Sequence, residues 1–187
     1  MKNRDAHIID AAVRLFLRFG VKRTSMNDIA EEAGLSRQTL YKAFANKGAV
    51  LQATIRSLAD KVVLDIEAGL EKAEGLGARL DLIFKHIVIV HYDFLHSSPN
   101  AEDIIAGVNA SSQEELEAAA RRNIALIERV LEPYSREIGD SGLTVPQYAD
   151  FIQRTATAAK HAAKSRKHLL ALLAALRVSV LKVTGAG

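Results

Sequence analysis

The sequence predicts an all-α fold, and three observations support that prediction. Apolar residues recur at helical spacing along almost the whole chain. Two segments, Ser25-Met26-Asn27-Asp28 and Ser112-Gln113-Glu114-Glu115, have the form of capping boxes, which mark the starts of helices. The one run with strand propensity, Ile87–Val90, has no bounding turns and no partner strand elsewhere. We therefore expect about nine helices and no sheet.

The first fifty residues divide into three short helices. The first ends at Gly20, a residue that readily adopts the left-handed conformation found after a helix. The second begins after Ser25 and ends at Gly34, and Ser36 is placed to cap the third. Each helix has one apolar face, and together these faces predict a small core made of Ile8, Ile9, Ala12, Leu15, Phe16, Phe19, Ile29, Ala30, Ala33, Leu40 and Phe44.

Longer helices are expected in the middle of the chain. Asn46 can cap a helix over residues 47–73 that leads out of the first region. Residues 80–95 are apolar on nearly all sides of a helix, which indicates a buried element. Ser98-Pro99 and Gly107 frame a short helix after it.

Start and stop signals also define the C-terminal helices. Ser112 opens a helix that Pro133 stops. Thr144 can cap the next helix, with Pro146 in its first turn. A break near Ser165 precedes the last helix.

Composition and charge narrow the function classes. The chain has no cysteine, which excludes disulfides, cysteine-ligated metal sites and thiol catalysis. The first residues lack the apolar run of a signal peptide, and no apolar stretch reaches the ~20 residues of a membrane span, so we expect a cytoplasmic protein without a membrane partner. Residues 1–50 carry a net charge of +4 and residues 51–187 a net charge of −1. This asymmetry fits a segment that binds a polyanion, attached to a neutral remainder.

Residues 25–44 have the layout of a helix-turn-helix. Ala30 is small enough for the two helices to cross closely, and Gly34 permits the tight turn between them. Leu35 fills the space under the turn, and Ser36 caps the second helix. An ordinary helical hairpin shares any one of these features, but their combination with an outward polar set favours DNA binding.

The outward set of the second helix consists of residue types that recognise DNA. An arginine bonds guanine with two hydrogen bonds and a glutamine does the same for adenine, which suits Arg37 and Gln38 to base contacts. Thr39, Tyr41 and Lys42 carry donors that suit phosphate oxygens. We also include Ser36, at the start of the same helix, in the predicted DNA-binding set.

Over about its first 55 residues the sequence resembles the TetR family of bacterial transcriptional regulators. The resemblance runs through Ile8-Ile9-Asp10-Ala11-Ala12, Leu15-Phe16, Phe19-Gly20, Thr24-Ser25-Met26-Asn27-Asp28-Ile29-Ala30, Ala33-Gly34-Leu35-Ser36, Thr39-Leu40-Tyr41 and Phe44-Ala45-Asn46-Lys47. It implies an all-helical homodimer in which residues 1–47 form a helix-turn-helix DNA-binding domain. Residues 48–187 would then form a larger domain that binds a small-molecule effector and dimerises through its last two helices.

The resemblance also implies roles for individual residues. Thr24, Thr39, Tyr41 and Lys47 are expected to contact phosphates, and Arg37 with Gln38 to face bases or backbone.

Two positions depart from the family pattern. Gln38 stands where a glycine is frequent, so the operator preference need not follow that of relatives. Gly48 stands where a glutamate is frequent, which weakens the first turn of the fourth helix by up to ~1 kcal/mol.

The effector pocket is only weakly indicated. His91 shares a helical face with Leu80, so we expect it to point inward, where it would be either a core residue or an effector ligand. His86 and His91 are five residues apart and make a poor metal pair, so neither a metal nor a cofactor is expected. The candidate pocket residues, each of which ordinary packing also explains, are Phe84, Ile87, His91, Tyr92, Asn123, Tyr148 and Phe151.

The two C-terminal helices, residues 146–163 and 166–183, predict a dimer interface. The first of these helices carries a surface of small residues, and the last helix carries an apolar stripe. A small domain seldom buries two such wide apolar faces by itself, so we expect a second copy of the chain to cover them. The predicted interface residues are Thr155, Ala159, Ala162, Leu169, Leu172, Leu173, Leu176 and Val180.

Together these features predict a ligand-responsive regulator, a repressor that binds a palindromic operator as a dimer and is released by an apolar or amphipathic effector. The alternative is an architectural or constitutive DNA-binding factor without an effector. An enzyme is not expected, because the sequence has no Gly-rich phosphate loop, no H-E-x-x-H and no G-x-S-x-G. An enclosed cavity in the second domain would favour effector sensing over the alternative.

Overall fold

A computed structural model of the chain describes residues 2–97, 100, 103 and 112–186. Within these ranges the secondary structure is entirely helical, which confirms the all-α prediction. The N-terminal helices are α1 (Lys2–Phe19), α2 (Met26–Glu32), α3 (Arg37–Ala43) and α4 (Lys47–Leu70). The remaining helices are α5 (Gly75–Phe84), α6 (Val90–Ser97), α7 (Gln113–Leu131), α8 (Ser135–Asp140), α9 (Val145–Ala162) and α10 (Arg166–Val183).

Four of the predicted helix starts are capped by the residue that the sequence indicated. Ser25 and Asp28 form a reciprocal capping box at α2, with the Asp28 carboxylate accepting from the Ser25 amide at 2.7 Å. Ser36 caps α3, and the Asn46 side chain accepts from Ala49 N at 2.9 Å at the start of α4. Thr144 and Gln147 form a second reciprocal box at α9.

The capping box predicted at Ser112 is wrong, although α7 does begin after that residue. The Ser112 hydroxyl is buried and makes no hydrogen bond within the part of the chain that the structure describes. Glu115, whose carboxylate the box requires, is paired instead with Arg56 of α4, whose Nε donates to Glu115 Oε2 at 3.2 Å. A tertiary ion pair has thus replaced a local hydrogen bond to the backbone. The short helix predicted between Ser98-Pro99 and Gly107 lies outside the described residues.

The chain forms two compact units. The first contains the described residues of 1–60 and 94–118, and the second those of 61–93 and 119–187. The core of the first unit is built from α1, α2, α3 and the start of α4, around Ile8, Ile29, Leu40 and Val50. The second unit has its own larger core, in which α5, α7, α9 and α10 each contribute fully buried side chains: Leu80, Ile83, Ile127, Leu131, Ile152, Leu169 and Val180.

A π-helical turn, Lys85–Ile89, interrupts the helix predicted over residues 80–95. At its end the Val90 amide donates to the Lys85 carbonyl, five residues back. A π turn holds one more residue than an α turn, so the side chains after it rotate by about 100° relative to a continuous α-helix. Tyr92 is therefore buried, at 4% exposure, and His91 is exposed. This corrects the expectation that His91 points inward.

None of the helices in the described ranges is both long and apolar enough to cross a membrane. The same residues contain no group of three or more His, Cys, Asp or Glu that could hold a metal ion.

Candidate DNA-binding site

The turn between α2 and α3 is held by backbone hydrogen bonds and by one glycine. Gly34 has φ of +62°, a conformation that L-residues with side chains rarely adopt. The Gly34 amide donates to Glu31 O at 2.9 Å and the Leu35 amide to Ala30 O at 2.9 Å, which closes the end of α2. Ala30 is 2% exposed, as close crossing of the helices requires. These observations confirm the helix-turn-helix.

Contacts with α1 keep the helix-turn-helix in place. Arg14 Nε of α1 donates to Glu32 Oε1 of α2 at 2.6 Å. His7 Nε2 lies 3.1 Å from the carbonyl oxygen of Ala33, at the start of the turn. Both contacts join the first helix to the far end of α2, so the two helices form one rigid support for α3.

The outward face of α3 presents four side chains that make no hydrogen bond or ion pair with the described part of the chain. These are Arg37, Gln38, Tyr41 and Lys42, all exposed, with Tyr41 at 52% exposure. Leu40, on the opposite face of α3, is fully buried in the core of the unit. Burial of Leu40 fixes the rotation of α3 about its axis and therefore directs the four polar side chains to solvent together.

Three other residues predicted to touch DNA have partners inside the protein. The Ser36 hydroxyl accepts from the Thr39 amide at 3.2 Å, and the two hydroxyls lie 2.8 Å apart. The Thr24 side chain is 2% exposed and its hydroxyl donates to Gly20 O at 2.7 Å. Burial of the Thr24 hydroxyl excludes it from a phosphate contact in this arrangement, which corrects that expectation.

Lys47, at the start of α4, is turned toward the protein rather than toward solvent. Its ammonium nitrogen lies 2.7 Å from Val21 O, 2.8 Å from Thr24 O and 3.3 Å from Lys22 O. All three acceptors belong to the segment between α1 and α2. No sequence pattern predicts these contacts, because every residue has a backbone carbonyl and residue type does not indicate which carbonyls a lysine will bond.

The end of α1 and the segment that follows it are also hydrogen-bonded to two residues that are distant in sequence. Asn100 Nδ2 donates to Leu17 O at 3.1 Å and to Arg18 O at 3.0 Å, which satisfies carbonyls at the end of α1. Asp103 Oδ2 accepts from the Lys22 amide at 2.9 Å. A Cβ added to Gly20 would collide with the Asp103 carboxylate, which would have to shift, and the φ of +83° independently favours glycine here. Sequence reasoning missed both partners.

The electrostatics of α2 follow from its capping box. Hydrogen bonds from the backbone and then the side chain of Ser25 lower the pKa of Asp28, and the nearby charge of Lys47 lowers it further. An ionised carboxylate at this position also interacts favourably with the positive end of the α2 dipole.

The residues predicted to line an effector pocket all lie in the second unit and differ in burial. Phe84, Ile87, Tyr92 and Tyr148 are buried members of its core. Phe151 is 56% exposed and His91 is exposed, so neither lines an interior cavity, which corrects the prediction for these two. Asn123 is half-buried.

Partial loss of hydration, and then the charge of Lys160, lowers the pKa of His91, whereas hydrogen bonds to backbone of the π turn oppose that shift.

Two open grooves are prominent on the described surface, and neither is enclosed. One, of about 410 Å³, is lined by Glu67, Leu70, Glu71, Arg79, Arg129 and Val130. The other, of about 540 Å³, is lined by Leu15, Phe19, Arg23, Asp28, Glu31 and Glu32. None of the predicted pocket residues contributes to either groove.

The predicted dimer-interface residues are also divided by the structure. Leu169, Leu173, Leu176 and Val180 are buried in the chain's own core, which corrects their assignment to an interface. Thr155, Ala159 and Leu172 are half-buried, and Ala162 is exposed. Apolar or small residues are exposed on both helices instead, beside the exposed polar residues Arg154, His161 and Ser179: Phe151, Ala158 and Ala162 on α9, and Leu170, Ala171, Ala174 and Val178 on α10.

A helix-turn-helix supported by α1, whose second helix carries a polar face without partners in the described chain, is the architecture of a DNA-binding domain. Residues 8–54 match the sequence profile of the bacterial regulatory proteins of the tetR family. The N-terminal region of the chain is therefore a DNA-binding domain of the tetR type.

Individual relatives support that assignment. The HTH-type transcriptional regulator TtgR of Pseudomonas putida is 49% identical over 53 residues, which are 28% of this chain and 25% of TtgR. The chain thus matches about a quarter of that relative's length. SmeT, described as the repressor of the Stenotrophomonas maltophilia multidrug efflux pump SmeDEF, has a similar fold, with a TM-score of 0.64, 21% identity and coverage of 94% of this chain and 89% of SmeT. FadR of Bacillus subtilis, solved in complex with stearoyl-CoA, has a TM-score of 0.59, 20% identity and coverage of 97% and 99%.

Proposed function

We propose that the protein is a repressor that binds a roughly palindromic operator as a homodimer and is released by a small apolar or amphipathic effector. The observation that carries the DNA-binding part is the outward face of α3. Four side chains suited to bases and phosphates lie side by side there without partners in the described chain. A helical hairpin of purely structural role has no need of such a face.

Roles within this face follow from the chemistry of each side chain. Arg37 and Gln38, at the N-terminal end of α3, are placed as the base-reading pair, because recognition helices contact base edges through their first residues. Tyr41 and Lys42, one turn later, suit phosphates. Gln38 replaces a frequent glycine, so its amide adds a contact through which the operator preference would differ from that of relatives.

The dimer is supported by the outward faces of α9 and α10. Phe151, Leu170 and Val178 are 56%, 38% and 47% exposed, and alanines fill the positions between them. Small residues allow two helices to approach closely, and the large apolar side chains are the ones that gain from being covered. A second copy of the same two helices provides a face of the same character, as two-fold symmetry requires.

The effector part of the proposal is supported by the similar proteins. FadR binds stearoyl-CoA, an amphipathic molecule, and its fold is similar to this one over nearly the whole chain. Four of the seven predicted pocket residues lie in the core of the second unit, so an effector would have to displace their packing.

A second candidate function is a DNA-binding factor without an effector. The observation that favours it is the same packing: Phe84, Tyr92 and Tyr148 are each at most 4% exposed, and the two prominent grooves are open. A sensor needs a site that buries most of its ligand. Small-molecule binding to the isolated protein therefore separates the two candidates.

The experiment that tests DNA binding is selection of duplexes from a pool of genomic fragments, followed by sequencing. We expect enrichment of an inverted repeat whose half-sites lie about one helical turn, ~34–36 Å, apart. Tyr41→Ala should weaken binding to all duplexes alike, whereas Gln38→Ala should relax the preference at particular base pairs. Lys61→Ala, at an exposed position of α4, is the control and should bind as the wild type does. Absence of any enriched sequence would contradict the proposal.

A further inference from the structure

Gln153 of α9 is a polar side chain buried in the apolar core of the second unit, at 6% exposure. Its amide nitrogen Nε2 donates to Thr157 Oγ1 at 3.3 Å. Its amide oxygen Oε1 is buried and accepts no hydrogen bond from the described chain. A buried acceptor without a donor costs free energy, so folded proteins contain few of them. The packing of this core therefore does not by itself account for Gln153.

The surroundings of Gln153 explain why the chain supplies no donor for Oε1. Ala149 and Ala156 lie one turn before and one turn after it on the same face of α9, and both are fully buried. α9 packs against α8, α10 and the π turn, and the buried side chains of those three elements are all apolar. None of these buried side chains can donate a hydrogen bond.

Thr184 shows how the other buried polar side chain of the described second unit is accommodated. It is 2% exposed, and its hydroxyl donates to Val180 O at 2.9 Å, one turn back in α10. Its hydrogen bond is thus made inside the protein, whereas that of Gln153 Oε1 is not. Proteins retain groups that cost stability mainly at functional sites, which makes Gln153 a candidate ligand-binding residue.

The charge of the core limits the kind of ligand that could bond Gln153. No Asp or Glu is buried in the part of the second unit that the structure describes, so a cationic donor would be buried there without a counter-charge. The donor must therefore be neutral. A hydroxyl group both donates and accepts, so it can donate to Gln153 Oε1 and also accept from Nε2.

We propose that Gln153 binds the polar group of the effector, and that this effector is a neutral amphipathic compound with a hydroxyl group, an alcohol or a phenol. This inference rests on the proposed binding of an effector in the second unit, and it adds the chemical class. The hydroxyl donates to Gln153 Oε1, while the apolar part of the compound packs among the apolar side chains of the same core. Gln153 thus determines which amphipathic compounds bind.

The first experiment compares two probes of the same size, 4-propylphenol and 1-fluoro-4-propylbenzene, by calorimetric titration of the free protein. The fluoro compound has no donor and is the more apolar of the two, so hydrophobic transfer alone favours it. A hydroxyl that satisfies Gln153 Oε1 should reverse that order, and we expect the wild type to bind the phenol roughly 5- to 100-fold more tightly. Absence of phenol binding, or tighter binding of the fluoro compound, would overturn the inference.

Gln153→Met assigns the preference to this side chain. Methionine has a similar length and helix propensity but no amide, so the phenol hydroxyl would be buried without a partner. The variant should therefore bind the fluoro compound more tightly than the phenol. Thr184→Val is the control, because it removes a buried hydroxyl of the same unit that already has its hydrogen bond, and it should keep the wild-type preference. A preference for the phenol that persists in Gln153→Met would contradict the assignment.

These outcomes are distinguishable from failure of the proposed function. The proposed repressor fails if no duplex is enriched in the selection, or if no compound changes its affinity for the selected duplex. Release of that duplex by a compound without a hydroxyl group, together with no binding of the phenol, would leave the repressor intact and overturn the assignment of the effector class.

The second experiment is chemical unfolding of the free protein without any probe. Gln153→Met removes a buried acceptor that has no donor, so the unfolding equilibrium constant should stay the same or fall. A purely structural role of Gln153 predicts the opposite, since the variant would then lose hydrogen bonds that stabilise the core. A rise of about 10-fold or more, or a variant that fails to fold, would overturn the inference.

Discussion

Asp28 shows at the scale of a single residue how the sequence determines a local structure. Its carboxylate accepts from the Ser25 amide at 2.7 Å, and the Ser25 hydroxyl accepts from the Asp28 amide at 3.2 Å. The pair spans three residues, so the spacing in the sequence was enough to predict it. The hydrogen bonds favour the ionised carboxylate, which holds the pKa of Asp28 below its usual value of 3.8.

This lowered pKa predicts how stability depends on pH. A carboxyl with a lower pKa in the folded state contributes stability above its unfolded pKa, and that contribution is lost as the pH falls through the folded pKa. Asp28→Asn should therefore destabilise the protein above about pH 5, and the difference from the wild type should shrink below about pH 4. Urea unfolding at a series of pH values measures it.

Glu31→Gln provides the control for the Asp28 prediction. Glu31 is an exposed carboxylate on the same helix, outside the capping box. Its replacement should change the unfolding free energy little at any pH. A difference between Asp28→Asn and the wild type that is the same at pH 3 and pH 7 would contradict the assignment.

Residues that act through tertiary contacts were predicted less well. Thr24 and Lys47 were both expected at phosphates, yet one hydroxyl is buried and the other side chain bonds three carbonyls. Their polar character is equally consistent with a DNA contact and with bonds to backbone. Only the backbone conformation of the segment between α1 and α2 distinguishes a DNA contact from an intramolecular hydrogen bond. That conformation also depends on hydrogen bonds with Asn100 and Asp103, about eighty residues away in the sequence.

At the scale of elements, helical spacing was a good guide to where helices lie and a poorer guide to which face is buried. The stripe Leu169, Leu173, Leu176 and Val180 was correctly identified on α10 but assigned to a partner chain. It packs inside its own unit. The opposite face, with Leu170 and Val178, is the one that we propose a second copy covers.

This assignment of faces predicts different outcomes for two substitutions on α10. Val178→Glu places a charge on the outward face and should convert the dimer to a folded monomer, because an unpaired charge is costly to bury at an interface. Leu173→Glu places it in the core and should unfold the second unit. Light scattering with circular dichroism distinguishes the two, the wild type being expected at about twice 20.3 kDa.

Leu143→Glu is the matched control for the α10 prediction. Leu143 is an exposed leucine, 39% accessible, in the loop before α9. The variant should remain a dimer. A wild-type monomer at micromolar concentration, or a dimer that persists in Val178→Glu, would contradict the proposed interface.

At the scale of the whole molecule, the proposed repression requires that effector and operator binding be coupled. A ligand shifts an equilibrium between two states only by its difference in affinity for them, typically ~1–3 kcal/mol. A small molecule that releases the selected duplex should therefore lower operator affinity by ~5–150-fold, and the duplex should lower the affinity of that molecule by the same factor. Calorimetric titration of the molecule, with and without the duplex, measures the change in the affinity of the molecule. The change in operator affinity follows from it by thermodynamic linkage.

The outcome of that titration also separates the two candidate functions. Equal affinity with and without the duplex would exclude coupling. If no small molecule binds the free protein in a broad screen by thermal shift, the factor without an effector is favoured.

Signals within a few residues of one another were sufficient to predict the helix-turn-helix, the capping residues and the tetR-type DNA-binding domain. Caps, glycine turns and apolar spacing act over one or two helical turns, so the chain carries them in readable form. Burial is different, because it depends on which elements meet. The π turn at Lys85–Ile89 rotated Tyr92 into the core in place of His91, and Arg56 drew Glu115 away from its capping box. The ion pair joins residues distant in sequence, and a π turn is not specified by helical spacing, so local patterns contain no signal for either change.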